Sequence, residues 1–191
     1  MKNMRIISLV MTMVLCISLA ACGKSAGAGD EGAYKDIIAG LQPGQAYAIV
    51  NVETAEHPIL LVASAAYGYD NEGTMIAIDS EVYGYNKDGE IMKYADFISA
   101  GTGYPICITD NKYFMYGSGH HMCEVYLDEQ NGAVVTKLDE SVEYSTDGSE
   151  TYYEFDLDNE FEGQVEDETK FKAIFDVYNN NAEWIKYTVV E

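Results

Sequence analysis

Basic residues are scarce in this chain: 11 Lys and Arg stand against 32 Asp and Glu, a formal net charge of −21 at pH 7. A surface this acidic is repelled by nucleic acid and by anionic lipid headgroups, so electrostatics supplies neither as a partner. Histidine is equally sparse, with only His57, His120 and His121 to move protons near neutral pH. Catalytic signatures that spacing alone would reveal are missing. Gly117-Ser118-Gly119 has the wrong spacing for a Gly-x-Ser-x-Gly elbow, and no His-Glu-x-x-His or phosphate-loop pattern occurs. Gly101-Thr102-Gly103 lacks a third glycine and a following helix, and reads as a loop. Among so many carboxylates, two acids close in sequence carry no weight as a catalytic pair. The expectation is a non-enzymatic chain with no catalytic residue, no cofactor and no metal ligands.

The N-terminus is the most specific segment. Lys2 and Arg5 give a positive start, Ile6 to Leu19 is uncharged and mostly apolar, and small residues lead into Leu19-Ala20-Ala21-Cys22. The apolar run falls short of the roughly 18 to 20 residues of a membrane span, and Gly23-Lys24-Ser25-Ala26-Gly27 is no stop-transfer cluster. These four residues resemble the lipobox of bacterial lipoproteins. The resemblance implies that signal peptidase II removes residues 1–21 and that the Cys22 thiol carries a diacylglyceryl group. It places the protein at the cell membrane, lipid-anchored on the extracytoplasmic face.

Removing residues 1–21 takes away Lys2 and Arg5 and no acid, which brings the formal charge from −21 to −23. Lipid then holds what charge would push away, since each buried CH₂ contributes roughly 0.8 kcal/mol and two acyl chains suffice for stable attachment. Residues 22–33, small and polar after the cysteine, read as a lipidated flexible tether.

Residues 34–191 amount to one β-rich globular domain with enough Ile, Val, Tyr and Phe to bury a core. Tyr34, Ile37, Ile38 and Leu41 fall on one face of a short helix stopped by Pro43-Gly44. Strands are expected over 46–52, 59–66, 74–86, 90–97, 104–109, 112–117, 121–127, 133–138, 142–145, 151–157 and 184–190. Lys87-Asp88-Gly89, Asn131-Gly132 and Asp147-Gly148 mark hairpin turns. Phe171, Ile174, Phe175 and Tyr178 recur at helical spacing over 167–178. The class is α+β: an antiparallel β-meander or two packed sheets, with a short N-terminal helix and an amphipathic C-terminal helix. Gly73, Tyr85, Asp88 and Gly89 recur at one constant offset as Gly132, Tyr144, Asp147 and Gly148. This echo marks either duplicated hairpins or the ordinary spacing of a meander.

Three clusters invite a functional reading. Asp158, Glu160, Glu162 and Gly163 begin like a calcium loop, but the twelfth position is Thr169, so the segment reads as a solvated acidic linker. In 121–127, His121, Cys123, Val125 and Leu127 share one strand face, which makes Cys123 core and His121 its rim, with His120 pointing away. Cys107 and Cys123 are expected to be buried, unpaired thiols flanking Phe114, separated by a middle strand. Tyr67, Tyr69, Tyr83 and Tyr85 flank turns where an aromatic patch would meet a glycan or peptide, or simply pack across strands. The Tyr-rich strands and Asp-Gly turns also resemble uncharacterised small lipoproteins of Gram-positive gut bacteria, a likeness that implies no activity. The functional expectation is a lipid-anchored, non-catalytic binding module of the cell envelope, its ligand a protein, peptide or glycan. A small-solute or metal receptor is the alternative, and an envelope enzyme the third class.

Overall fold

A computed structural model of the protein describes residues 31–99 and 103–191. The lipobox, Cys22 and tether residues 23–30 lie outside the described residues, as do Gly101 and Thr102. The chain opens with α1 (Glu31–Ala39), β1 (Ala46–Val50), β2 (Ile59–Ala63), β3 (Tyr67–Gly68), β4 (Met75–Ile76), β5 (Asp79–Tyr85) and β6 (Ile91–Ile98). It continues through β7 (Tyr104–Thr109), β8 (Tyr113–Ser118), β9 (His121–Asp128), β10 (Ala133–Tyr144), β11 (Glu150–Asp156) and β12 (Phe161–Val165). Helix α2 (Thr169–Asn181), β13 (Ala182–Trp184) and β14 (Thr188–Val189) complete it.

Among the described residues the strands form two large antiparallel sheets, one of five strands ordered β14-β1-β2-β5-β6 and one of seven ordered β12-β11-β10-β9-β8-β7-β13, and a two-stranded ribbon, β3-β4. The two large sheets face each other. Ala48, Val50, Ile59, Leu61, Val82 and Phe97 of the smaller sheet share one core with Ile106, Ile108, Phe114, Cys123, Val125 and Leu127 of the larger. Phe97 ties the layers together, with ring centroids 5.5 Å from Phe114 and 4.7 Å from Tyr116. Burying each such side chain contributes roughly 1.5–3 kcal/mol.

Each sheet carries one helix on its outer face. Tyr34 is fully buried with Ile49, Leu60 and Val62, and Ile37, Ile38 and Leu41 pack against them. On the other side α2 buries Ile174 and Tyr178 against Cys107, Met115 and Met122, and the Tyr178 hydroxyl donates to the Pro105 carbonyl at 2.8 Å. Phe171 and Phe175, expected to share this role, are only half-buried at the rim of the helix. The protein is thus mostly β with two helices, and no helix among the described residues is long and apolar enough to cross a membrane.

Several boundaries differ from the sequence expectation. Helix α1 begins at Glu31, so residues 31–33 belong to the domain rather than to the tether. The expected strand 74–86 is two strands, because β4 turns aside to pair with β3. The segments 133–138 and 142–145 are one twelve-residue strand, β10, whose register shifts between Thr136 and Leu138. The supposed acidic linker is the edge strand β12, reached through Glu160 at φ 51°. Residues 184–190 split, β13 closing one sheet and β14 the other. The echoed turns around Gly89 and Gly148 close with matching bonds, Gly89 N to Asn86 O and Gly148 N to Ser145 O, but lie in different sheets.

Cys107 and Cys123 are both free and buried, as expected, by a different geometry. The β7–β8 loop has three residues, with Asp110 and Asn111 at φ 50° and 55°, so Thr109 pairs with Tyr113 and Cys107 with Met115 rather than Phe114. Gly119 and His120 make the next turn, and Cys123 falls opposite Tyr116. Cys107 therefore faces α2 while Cys123 faces the inter-sheet core, and a bridge would have to pass through the sheet. A Cβ at Gly117 would sit 2.1 Å from the His121 carbonyl oxygen, so the turn requires glycine there.

The α2 face of the larger sheet also buries acids. Glu124 accepts from the Thr109 hydroxyl at 2.7 Å and from Lys137 at 3.0 Å, and Glu154 accepts from Lys170 at 3.1 Å. Glu140 lies between Glu154 and Met122 in the ladder, 1% exposed, and neither of its oxygens has a hydrogen-bond partner. Burial first, and then the charge of Glu154, raises its pKa from the ordinary 4.5 to about 8. Between those values the folded chain holds a proton that the unfolded chain releases, so stability falls as pH rises, by about 1.4 kcal/mol per unit, and levels off above the folded value. Glu140→Gln cannot ionise. Denaturant unfolding at pH 5 and pH 8.5 is expected to show similar stability for variant and native protein at the lower pH, and a variant more stable by a few kcal/mol (roughly) at the higher.

Candidate functional site

The larger sheet has more strands than the smaller can cover, and its excess is β10–β12. On the face that β9 turns to the core, pleating and register align Ser141 with Tyr153 and Gln164, and Asp139 with Cys123, Phe155 and Glu162. Cys123 is inside the shared core, but Tyr153 and Phe155 are not. A trough of about 450 Å³ results, lined by Thr136, Asp139, Ser141, Tyr153, Phe155 and Glu162. Its volume falls within the range of small-ligand sites, and two aromatic rings set among a few polar groups are the usual lining of one. The Tyr153 hydroxyl donates to Glu143 at 3.3 Å, which restrains that ring.

At the inner end of the trough, His121 Nε2 lies 2.9 Å from Asp139 Oδ2. The hydrogen bond to Asp139 raises the His121 pKa above 6.5, burial opposes it, and the Asp139 charge adds to the rise. Ser141 stands opposite His121 in the ladder, although no hydrogen bond joins their side chains among the described residues. Chemically the trough offers aromatic faces, three hydroxyls and an excess of negative charge, with no Lys or Arg in its lining.

The other singled-out residues are dispersed. His120 sits in the exposed β8–β9 turn with its ring 4.8 Å from Tyr144. The Cys123 thiol is buried, which pushes its pKa up to about 12 and leaves it inert as a thiolate ligand. Tyr83 and Tyr85 are half-buried beneath α1, whereas Tyr67 and Tyr69 are exposed, Tyr69 lying 5.3 Å from half-buried Trp184. His57 is in the loop before β2 and meets Glu129, 72 residues away. Of the acids once compared with a calcium loop, Glu162 lines the trough from β12. Sequence reasoning missed Tyr153 and Phe155 as surface groups: their alternation with Glu154 was visible, but which face stays uncovered depends on strand order.

The His121–Asp139 pair stabilises the fold fully below the unfolded histidine value, and that contribution is lost as pH rises through the raised folded value. Asp139→Asn is expected to move the His121 titration midpoint down, as read from imidazole proton shifts in an NMR pH series. An unchanged midpoint would show that the pair does not form in solution.

Compared with known proteins, the chain matches no family model, no curated protein and no solved structure.

Proposed function

We propose that the protein is a lipid-anchored, extracytoplasmic, non-catalytic binding module whose trough over β10–β12 receives an extended, basic peptide segment of an envelope protein. The trough is the observation that carries this reading. Its aromatic residues Tyr153 and Phe155 offer apolar contact, while Asp139 and Glu162 favour a cation. β12 is the outermost strand of its sheet, so its outer edge has no strand partner among the described residues, and Glu162 and Gly163 of that strand line the trough. A peptide lying there adds main-chain hydrogen bonds to an open edge while its alternate side chains enter the trough. Attachment at Cys22 keeps the acidic domain beside the membrane although the headgroups repel it.

Two measurements test this. Cys22→Ser is expected to release the protein from the membrane fraction and to abolish labelling by radioactive fatty acid; normal labelling would end the anchor reading. With the full chain in detergent, fluorescence polarisation against Lys- and Arg-containing strand-forming peptides is expected to give saturable binding. Tyr153→Ala and Phe155→Ala should weaken it about tenfold, on the order of 1.4 kcal/mol each. Binding of neutral glycans alone, with the same sensitivity to these variants, would replace the peptide by a sugar.

A further inference from the structure

The end of the sandwich carrying the β1–β2 and β9–β10 connections holds a second cluster, none of whose residues lines the trough. Glu56, His57 and Glu129 each direct one ligand atom into a space where all three atoms lie within 4.8 Å of one another. His57 Nδ1 is 3.3 Å from Glu129 Oε2. Two ligands held about 2.1 Å from one tetrahedral metal are separated by about 3.4 Å, so this pair already has the spacing of adjacent ligands.

The site is built rather than incidental. Glu129 is 9% exposed, and its second oxygen accepts from the His57 backbone N–H at 3.3 Å, which fixes the carboxylate. The His57 ring packs on Tyr85 at 4.5 Å. Its loop is tied down by Thr54 donating to the Lys112 carbonyl at 2.6 Å and by Tyr34 donating to the Pro58 carbonyl at 2.6 Å. The opposing turn is held by Asp128, which accepts from the backbone of Gln130 and Asn131 at 3.0 Å. His57 and Glu129 are therefore largely ordered before anything binds, and only Glu56 has still to be fixed.

Its charge is uncompensated. His57 is the only ion-pair partner of Glu129 among the described residues, and Glu56, which is exposed, makes no hydrogen bond or ion pair among them. A cleft of about 360 Å³, lined in part by Asn86, Asp88, Glu129 and Asn131, opens beside Glu129 and leaves room for water or a further donor on a bound ion.

We infer that Glu56, His57 and Glu129 form a binding site for a first-row divalent transition-metal ion, with Zn²⁺ preferred over Mn²⁺ and Ca²⁺. One imidazole and two carboxylates are borderline-to-hard donors, which suit Zn²⁺ and Mn²⁺, and the affinity order for such ligands puts Zn²⁺ above Mn²⁺. Ca²⁺ takes six to eight oxygens, and two carboxylates converge here. Exposed Glu56 rotates inward to close the third bond, and the metal sits between His57 Nδ1 and Glu129 Oε2 with the neutral imidazole carrying its proton on Nε2. The site stands whether or not the trough binds a peptide.

A chain of net charge −21 gathers cations diffusely, so the test must separate a site from an atmosphere. Calorimetric titration of the full chain with ZnCl₂ in 150 mM NaCl and millimolar Mg²⁺ is expected to show one saturable ion per chain, bound more tightly than Mn²⁺ or Ca²⁺. His57→Ala and Glu129→Gln should weaken Zn²⁺ roughly 10- to 100-fold, the scale on which even groups outside the ligand set affect metal sites, with Glu56→Gln at the low end. His121→Ala, at the histidine paired with Asp139 of the trough, should leave Zn²⁺ affinity unchanged. Absence of 1:1 binding, unchanged affinity in His57→Ala, or equal loss in His121→Ala overturns the assignment. Should His57→Ala fail to fold, Mn²⁺ broadening of amide signals in the native chain decides: broadening centred on residues 56, 57 and 129 supports the site, and broadening centred elsewhere or spread over the surface overturns it.

Discussion

The seven-stranded sheet has to satisfy two partners at once, and the rest of the architecture depends on that constraint. Strand pleating sends Phe114, Cys123, Val125 and Leu127 into the inter-sheet core and Cys107, Met115 and Met122 toward α2. Neither set can shift by one residue without exchanging faces, so the register is held from both sides. The two cysteines show how strongly this dominates local chemistry. Both thiols are buried and unpaired because the sheet itself stands between them.

The same face carries a charge problem that follows from composition. With 11 bases for 32 acids, few cations are at hand for carboxylates that α2 covers. Lys137 and Thr109 serve Glu124, and Lys170 serves Glu154. Glu140 receives neither. Its remaining course is to keep its proton, since an ionised carboxylate at that depth costs more than a protonated one. The packing of α2 is thereby linked to pH through one side chain, and acidity supports the fold over a range in which most carboxylate-rich surfaces would gain nothing from protonation.

Much of the scaffold was legible because local rules determine it. Asp-Gly and Asn-Gly turns, the apolar spacing of both helices and the alternation in 121–127 all reappear, with His121 at the rim and Cys123 in the core. Failures came where a distant partner decides. A three-residue β7–β8 loop in place of a two-residue one changed the residue opposite Cys107. Strand β12 lies within an acid-rich segment that reads as solvated; it becomes a strand because β11 offers it an edge. Tyr153 and Phe155 line a trough only because the opposite sheet does not extend over them, and His57 meets Glu129 only because two connections end at the same place. No spacing rule along the chain encodes either meeting.

Both sites arise from the way the two layers fit rather than from any motif. A seven-stranded sheet facing a five-stranded one must leave inner surface uncovered at an edge, and an inner surface is by construction more aromatic than an outer one; the acids Asp139 and Glu162 keep it soluble while biasing what can enter. At the connection end, backbone rather than side-chain packing sets the geometry, so the few side chains there are free to be polar, and Glu129 is held by the loop of His57 because that loop offers it both an N–H and an imidazole. The trough favours a cation on an extended chain, and the loops favour a compact cation between two carboxylates. In a protein this acidic, a selective site is distinguished from the general field by fixed geometry, and in both of these places anionic groups are held by the fold beside a space that a ligand can fill.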